Sequence, residues 1–192
     1  MSARPGQPMR ILFMADVSPD PHSGAAGTEW QTIAALRQLG HHVDAVWADD
    51  LPHRIRHGNT HYLLELPRAY RDAMLRRLKQ HDYDVVHVNQ PHGYLAARAL
   101  HRSRHRAVFV HRSHGFEPRV AHDLAPWRAR YGGDERMGWR KALSAAYAAL
   151  LERHNRQIAR HADGHIVSAG QCRDFLAVRY GVNPQRIAIV PQ

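Results

Sequence analysis

Residues 84–111 read DVVHVNQPHGYLAARALHRSRHRAVFVH and contain one complete strand–helix–strand unit. Asp84 to Val88 and Ala107 to His111 are short, continuous apolar runs, which is typical of strands that are covered on both faces of a sheet. Between them, Gly93 to Arg102 is rich in small residues and predicts a helix. Two strands joined by a helix in this way indicate a parallel sheet.

The same alternation continues toward both ends of the chain. Further helices are predicted at Thr28 to Leu39, Pro67 to Gln80, Trp139 to Arg160 and Gln171 to Tyr180, whereas Gly115 to Gly133 is expected to be less regular. Further strands are predicted at Arg10 to Ala15, His42 to Trp47, Gly164 to Ser168 and Arg186 to Val190, with a weaker one at Thr60 to Leu64. The prediction is an α/β fold: a single Rossmann-like domain with a mostly parallel sheet of about seven strands and helices on both faces.

The composition fits one soluble domain over residues 10–192, preceded by a flexible leader at residues 1–9. The hydrophobic fraction of the 192 residues is 44%, and no apolar run reaches the roughly 18 residues of a membrane span. The only cysteine, Cys172, excludes an intrachain disulfide framework. We therefore expect a cytoplasmic location.

The formal net charge of +10, with 17 histidines beside it, suits phosphates, nucleic acid or anionic lipid. Leu66 to Lys79 forms a basic amphipathic pattern, which leaves open a peripheral contact with the anionic inner face of a membrane. The alternative is an ordinary covering helix with a solvated charged face. Nucleic acid is not an expected partner, because the basic cluster at His101 to Arg106 lacks interleaved aromatic residues.

Ligands of open parallel sheets bind beyond the carboxyl ends of the strands, and this rule indicates five segments: Asp16 to Thr28, Ala48 to Asp50, Asn89 to Gly93, His111 to Glu117 and Ser168 to Gln171. Three stretches in these regions are distinctive. Ser23 to Glu29 (SGAAGTE) has small residues that let a ligand approach the backbone at a helix N-terminus, unless Thr28 is simply the helix cap. Asn89 to Gly93 (NQPHG) is polar and turn-forming. In Arg112 to Glu117 (RSHGFE), His114 places an imidazole beside flexible backbone. The candidate binding residues are Gly24, Ala25, Ala26, Gly27, Thr28, Gln90, His92, Gly115, Glu117 and Ser168.

The sequence gives weaker support for a metal site or a catalytic nucleophile. His57 and His61, and likewise His101 and His105, have the i, i+4 spacing of zinc ligands, but neither pair has the glutamate pattern of a metallohydrolase. Cys172 lies within a helical pattern, where a small buried residue is the usual finding. We expect no metal site.

The order of five stretches resembles family 4 glycosyltransferases, which have the two-Rossmann-domain GT-B fold. The resemblance covers residues 10–192, and its most specific part is the last stretch, which looks like the family's crossing from the first domain to the second. The five stretches are RILFMADVSP, SGAAGTE with LRQLGHHVDAVW, YDVVHVNQPHG, VFVHRSHGFE and IARHADGHIVSAGQCRDFLAVRYGVNPQRIAIVPQ.

The resemblance implies a retaining transferase that uses a nucleotide sugar as co-substrate and needs neither cofactor nor metal. By resemblance, the loop at Gly24 to Thr28 approaches the donor diphosphate or the acceptor. His114 is the expected catalytic residue, which contacts the transferred sugar and positions it. The first domain usually selects the acceptor: a glycan, a lipid-linked sugar or a small molecule.

Two features depart from the family pattern. The usual Gly-Gly doublet is replaced by Gly24-Ala25-Ala26-Gly27, which puts the loop contact in doubt. The donor-binding C-terminal domain is expected to be absent, so nucleotide sugar would bind only together with that domain and this chain alone is predicted to be inactive. The alternatives are a free-standing flavodoxin-like module that binds a phosphorylated ligand, and a basic protein that binds nucleic acid or membrane. A homodimer is also left open.

Overall fold

The computed structural model describes residues 7–113, 117–131 and 138–191. The strands are β1 (Arg10–Met14), β2 (His42–Val46), β3 (Val85–Asn89), β4 (Val108–Arg112), β5 (Gly164–Val167) and β6 (Ile187–Ile189). The helices are α1 (Gly24–Gln38), α2 (Gly58–Thr60), α3 (Leu66–Gln80), α4 (Tyr94–Ser103), α5 (Glu117–Tyr131), α6 (Gly138–His161) and α7 (Gly170–Tyr180).

All strand pairs of the sheet are parallel, and the spatial order is β2-β1-β3-β4-β5-β6. The predicted Rossmann-like domain with a parallel sheet is therefore confirmed, with six strands in the described part of the chain. Parallel strands send all their C-terminal ends to one side of the sheet, which we call the carboxyl edge.

The weak strand predicted at Thr60 to Leu64 is wrong, because this segment is helical. It runs from α2 through a π-helical stretch at His61–Glu65 directly into α3. Leu63, Leu66 and Tyr70 are all buried, and their spacing of three and four residues places them on one helical face. A short apolar run is compatible with a strand or with a helix. In this segment, packing against the sheet favours the helix.

Two further boundaries differ from the prediction. Helix α1 begins at Gly24 rather than Thr28, because the Ser23 side chain caps it by accepting a hydrogen bond from the Ala26 amide at 3.2 Å. The described part of the segment predicted to be irregular, residues 117–131, forms α5 despite Pro126 within it.

The side chains of each strand alternate between two cores, one on each face of the sheet. Leu12, Val88 and Phe109 pack with the helices α3, α4 and α6 on one face. Ile11 and Phe13 pack with Ile33 of α1 on the other face. A smaller cluster around Val167 and Leu176 joins β5 to α7, and it contains the buried free thiol of Cys172. Helices on both faces are thus confirmed.

The apolar stripe of α3 lies inside the protein. Tyr70, Ala73 and Met74 are at most 4% exposed, whereas Arg68, Arg76 and Lys79 face solvent. The helix is therefore a covering helix whose charged face is hydrated, and its apolar stripe is not available to lipid. None of the helices in the described residues is both long and apolar enough to cross a bilayer.

Gly93 allows α4 to approach β3 closely, which gives a stability prediction. A Cβ atom at this position would lie 2.6 Å from Cγ1 of Val88. We expect Gly93→Ala to lower the free energy of unfolding by about 1–3 kcal/mol in urea titrations, because the core must shift. Gly58→Ala is the control, since nothing lies within 4 Å of its added Cβ. Equal stabilities for the two variants would contradict this reading.

Candidate functional site

A pocket of about 370 Å³ lies at the carboxyl edge, beyond β1 and β2. We call it the edge pocket. Its polar and aromatic lining residues are Asp16, Ser18, Asp49, His53, His61 and Tyr62. The Ser18 hydroxyl donates a hydrogen bond to the Asp49 carboxylate, which ties the loop after β1 to the segment after β2. The pocket therefore offers two carboxylates and a set of rings to a small polar ligand.

A third carboxylate, that of Glu65, lies next to the edge pocket and holds the loop at residues 54–55 to the helical segment before α3. It accepts hydrogen bonds from the backbone amides of Ile55 and Arg54, each at 2.9 Å, and contacts Nδ1 of His61 at 2.9 Å. These hydrogen bonds, first that of Ile55, lower the pKa of Glu65 to about 2. The loop is thus held to the helix, and the His53 ring stacks on His61 with centroids 4.0 Å apart.

A line of rings runs from the edge pocket into the protein. Tyr62 stacks on His92 at 5.3 Å, His92 meets His154 edge-on at 6.0 Å, and His154 stacks on Tyr94 at 4.4 Å. Burial lowers the pKa of both His92 and His154 to about 4, so both imidazoles are neutral near pH 7. His92, predicted to bind ligand, instead lies in the wall directly behind Tyr62.

The backbone at Gln90 sets the position of this wall. Gln90 has φ 63° and ψ 159°, a conformation that costs a non-glycine residue about 1–3 kcal/mol. Its amide donates a 2.9 Å hydrogen bond to the carbonyl of Arg112, so β4 holds the strained turn in place. The turn directs Pro91, His92 and Gly93 inward, where all three are buried.

A buried ion pair joins α1 to the end of β4. Glu29 is fully buried and lies 3.8 Å from the guanidinium of Arg112, which also donates a 2.9 Å hydrogen bond to the Thr32 hydroxyl. Tyr70 is buried nearby, and its burial, together with the charges of Asp16 and Glu29, raises its pKa well above the usual value. These groups fix the helix start and the β4 end relative to each other.

The loop predicted at Gly24 to Thr28 forms the first turns of α1. Gly24 and Ala25 are exposed, and a Cβ at Gly24 would meet nothing within 4 Å. Ala26 and Gly27 are buried, and a Cβ at Gly27 would lie 2.9 Å from the carbonyl oxygen of Pro21. Thr28 is not the cap, since its hydroxyl donates to the Gly24 carbonyl. Gly24 and Ala25 are thus the part of this segment that a ligand can reach.

The remaining predicted residues lie elsewhere along the edge. His114 and Gly115 lie outside the described residues. Glu117 begins α5, and Ser168 is half-buried just after β5. Because β3 and β4 separate β5 from β1, Ser168 does not belong to the edge pocket.

The two histidine pairs with zinc-ligand spacing do not come together as ligands. His61 contacts Glu65, and His57 Nδ1 lies 3.3 Å from the Thr60 hydroxyl. His105 accepts a hydrogen bond from the Ala107 amide, and His101 packs beside His161. Within residues 7–113, 117–131 and 138–191, no group of three His, Cys, Asp or Glu side chains is placed to hold a metal ion.

Sequence reasoning missed several residues of the site. Asp16 and Asp49 lie in two segments that the strand-end rule indicates, Asp16 to Thr28 and Ala48 to Asp50, but neither was chosen as a candidate binding residue. The segment wrongly predicted to be a strand contains His61 and Tyr62, so neither was considered as a lining residue. His53 lies outside that segment and reaches the pocket by stacking on His61. Glu29 carried a usable signal, because it lies three residues after Ala26 and four before Ile33, on the buried face of α1.

The buried ion pair gives a second stability prediction. We expect Glu29→Gln to lower the free energy of unfolding by about 3 kcal/mol, because Arg112 would keep a buried charge without its carboxylate. Asp82→Asn is the matched control: its pair with Arg106 is exposed, so the expected loss is below about 1 kcal/mol. Chemical denaturation measures both, and a loss as small as the control's would contradict the role of Glu29.

The buried histidines predict a pH dependence of stability. Between about pH 6.5 and pH 4 the unfolded chain binds protons that folded His92 and His154 do not, so stability falls as the pH falls through this window. We expect Tm to drop by roughly 5 °C or more from about pH 7.5 to about pH 5. His154→Phe keeps a ring and should flatten the profile, whereas His42→Phe, at an exposed histidine, should not. Parallel profiles for both variants would exclude His154 as a source.

Comparison with known proteins covers both sequence and fold. The sequence profile of Glycosyltransferase Family 4 matches residues 23–192. Among curated proteins, none matches the chain. Sucrose-phosphate synthase from Thermosynechococcus elongatus superimposes with a TM-score of 0.60 at 17% identity, over 95% of this chain and 48% of its own.

Two further solved structures share the fold. The catalytic domain of starch synthase IV from Arabidopsis thaliana, bound to ADP and acarbose, has a TM-score of 0.60 at 9% identity, over 97% of this chain and 52% of its own. A protein from Listeria monocytogenes assigned as a UDP-N-acetylglucosamine 2-epimerase has a TM-score of 0.57 at 14% identity, over 94% and 44%. The chain thus spans about half the length of the solved structures it matches.

Proposed function

The chain belongs to glycosyltransferase family 4, and from this premise we propose that it is the acceptor-side half of an enzyme that transfers a sugar from a nucleotide sugar with retention of configuration. The observation that carries the proposal is the edge pocket, with Asp16, Asp49 and Tyr62 in its lining. The pocket lies at the carboxyl edge, where open parallel sheets bind their ligands.

The chemistry of the edge pocket suits a polyhydroxylated acceptor. Carboxylates are strong acceptors for hydroxyl donors, so Asp16 and Asp49 would orient the hydroxyl groups of a sugar. Tyr62 is partly exposed and rests on the neutral ring of His92, which gives the pocket a flat apolar surface for a sugar ring. His92 therefore acts in this proposal by supporting Tyr62, not by touching the acceptor.

The start of α1 is the proposed approach for the donor diphosphate. Gly24 and Ala25 lie in the first helical turn, where amides have no intrahelical acceptor and the helix dipole favours an anion. Glu29 would oppose an anion there, but Arg112 lies 3.8 Å from it and offsets its charge. The remaining nucleotide contacts belong, in this proposal, to a donor-binding half outside this chain.

His114 is the proposed catalytic residue. It follows Arg112 by two positions in the sequence, and the ion pair of Arg112 with Glu29 fixes the end of β4. Its role is to contact the transferred sugar, with Gln90, Gly115, Glu117 and Ser168 as further binding positions. Positioning and charge stabilisation supply the catalysis, without a cofactor, a metal ion or a covalent intermediate. This chain alone is proposed to be inactive, and its proposed location is the cytoplasm.

Ligand observation by saturation-transfer NMR tests the acceptor assignment. The two probes are methyl α-D-glucopyranoside and UDP-glucose. We expect saturation transfer to the ring protons of methyl α-D-glucopyranoside and none to the uracil protons of UDP-glucose. Asp49→Asn should weaken sugar binding by about tenfold, because a hydrogen bond to a charged group is lost. Tyr62→Ala should abolish the saturation. The matched controls are Asp72→Asn and Tyr131→Ala, whose side chains are exposed outside the edge pocket.

Three outcomes would count against the proposal. Saturation of the uracil protons would place the nucleotide on this half and remove the acceptor assignment. Release of nucleotide from UDP-glucose or GDP-mannose by this chain alone would contradict the need for a second half. Binding of inorganic phosphate at Gly24 without any sugar binding would favour the free-standing module for phosphorylated ligands.

A further inference from the structure

A recess of about 490 Å³ lies at the amino edge of the sheet, the side at which the parallel strands begin. It is formed where α6 and α7 end and where the chain turns into β6. Its lining includes Arg156 and Arg160 of α6, Arg179 of α7 and Arg186 directly before β6. We call this recess the arginine cleft. The length of β5, four residues or about 13 Å, separates it from the carboxyl edge.

Small residues between the arginines make the cleft concave. Ala159 and Ala162 line it from α6, and Ala162 is buried. Gly181 ends α7 with φ 68°, a left-handed conformation that favours glycine. The chain then turns so that Val182 is buried while Asn183 lines the cleft. The arginine side chains therefore surround a hollow instead of extending from a flat helix surface.

One carboxylate holds two of the four arginines. Glu152 lies 3.1 Å from the guanidinium of Arg156 and 3.4 Å from that of Arg179. It is itself fixed by a 2.7 Å hydrogen bond that the Tyr180 hydroxyl donates. These contacts position both guanidiniums before a ligand arrives, which lowers the cost of ordering them on binding.

The other two arginines leave the cleft with an excess of positive charge. Within the residues that the structure describes, neither Arg160 nor Arg186 forms an ion pair, so four guanidiniums share the single carboxylate of Glu152. The C-terminal ends of α6 and α7 offset only about half a charge each. Arg156 and Arg160 are four residues apart on one helix face and repel each other. Stabilisation of helix ends explains single arginines, but it does not explain why four from three elements converge on one hollow.

A terminal phosphate group matches this excess charge. It carries about −1.5 to −2 charges at pH 7 and offers three acceptor oxygens, and the planar fork of arginine binds such oxygens in pairs. The volume of about 490 Å³ is larger than phosphate alone requires and falls in the range of small-molecule sites. The side-chain oxygen of Asn183 accepts a hydrogen bond from the Gln185 amide, so its NH₂ group remains to donate to the rest of the ligand.

We propose that the arginine cleft binds a small soluble molecule that carries a terminal phosphate group. Arg160 and Arg186 contact the phosphate, and the guanidiniums that Glu152 positions add to its attraction. The site lies at the opposite edge of the sheet from the edge pocket and takes a different ligand. UDP-glucose has no terminal phosphate, so it is not a ligand of the cleft.

Phosphorus NMR with glycerol 3-phosphate tests this site, because that molecule has a phosphate monoester and no sugar ring. The titration is made in about 0.1 M NaCl at about pH 7.5, above the second pKa of the phosphate. The parent chain should broaden the phosphorus signal, and glycerol 3-phosphate should raise its Tm. Arg160→Gln/Arg186→Gln should bind about tenfold more weakly, because charge-assisted hydrogen bonds are lost. Both side chains are exposed, so this variant should keep the fold, which circular dichroism checks.

A matched control separates the cleft from the net charge of the protein. Arg76→Gln/Lys79→Gln removes two exposed cations from α3 and should bind glycerol 3-phosphate like the parent chain. The cleft variant should still bind methyl α-D-glucopyranoside, so this proposal and the proposed transferase function fail independently.

Three results would overturn the assignment. The parent chain could leave the phosphorus signal unchanged, or the α3 variant could lose as much binding as the cleft variant. Sedimentation with vesicles of phosphatidic acid and phosphatidylcholine, lost in the cleft variant and without any binding of glycerol 3-phosphate, would assign the cleft to a lipid headgroup instead.

Discussion

The parallel pairing of the six strands in the described part of the chain is the constraint from which the rest of the structure follows. Helices cover the sheet on both faces, so the strand interiors are occupied by packing and their ends are left for polar chemistry. The loops after β1 and β2 bring Asp16 and Asp49 to one pocket, and the turn after β3 is hydrogen-bonded to β4 through Gln90. The geometry of the edge pocket thus depends on strand register more than on any local motif.

Buried polar groups fix the helices and turns around the edge pocket in place on the sheet. The Glu29–Arg112 pair fixes α1 against the end of β4, and the strained Gln90 turn places His92 behind Tyr62. A neutral imidazole suits this wall, because it packs like an aromatic ring at neutral pH and keeps a polar edge. The abundance of histidine, which gave the sequence an ambiguous metal-like character, is in this part of the protein a matter of ring packing.

The fold was largely predictable because each strand except the mistaken one is a short apolar run bounded by turn residues. The strand predicted at Thr60 to Leu64 was wrong because five residues are too few to distinguish the strand period of two from the helix period of 3.6. The helix is recognised only from the joint burial of Leu63, Leu66 and Tyr70. For the candidate site, the strand-end rule indicated the loops that line the edge pocket but did not distinguish Asp16 and Asp49 from their neighbours. Gly27 was read as an approach for a ligand, yet the group it accommodates is the Pro21 carbonyl, a contact between neighbouring segments that spacing alone does not reveal.

The helical segment between residues 57 and 66 lines two recesses of the surface at once. Its His61 and Tyr62 line the edge pocket, while Thr60, Leu63 and Leu64 line a largely apolar groove of about 850 Å³ beside the first half of α6. Leu63 is buried, and the segment runs without a break into α3, so the packing of one continuous helical stretch sets the walls of both recesses. A change in how this stretch packs on the sheet would therefore move the ring of Tyr62 in the edge pocket and the wall of the groove together.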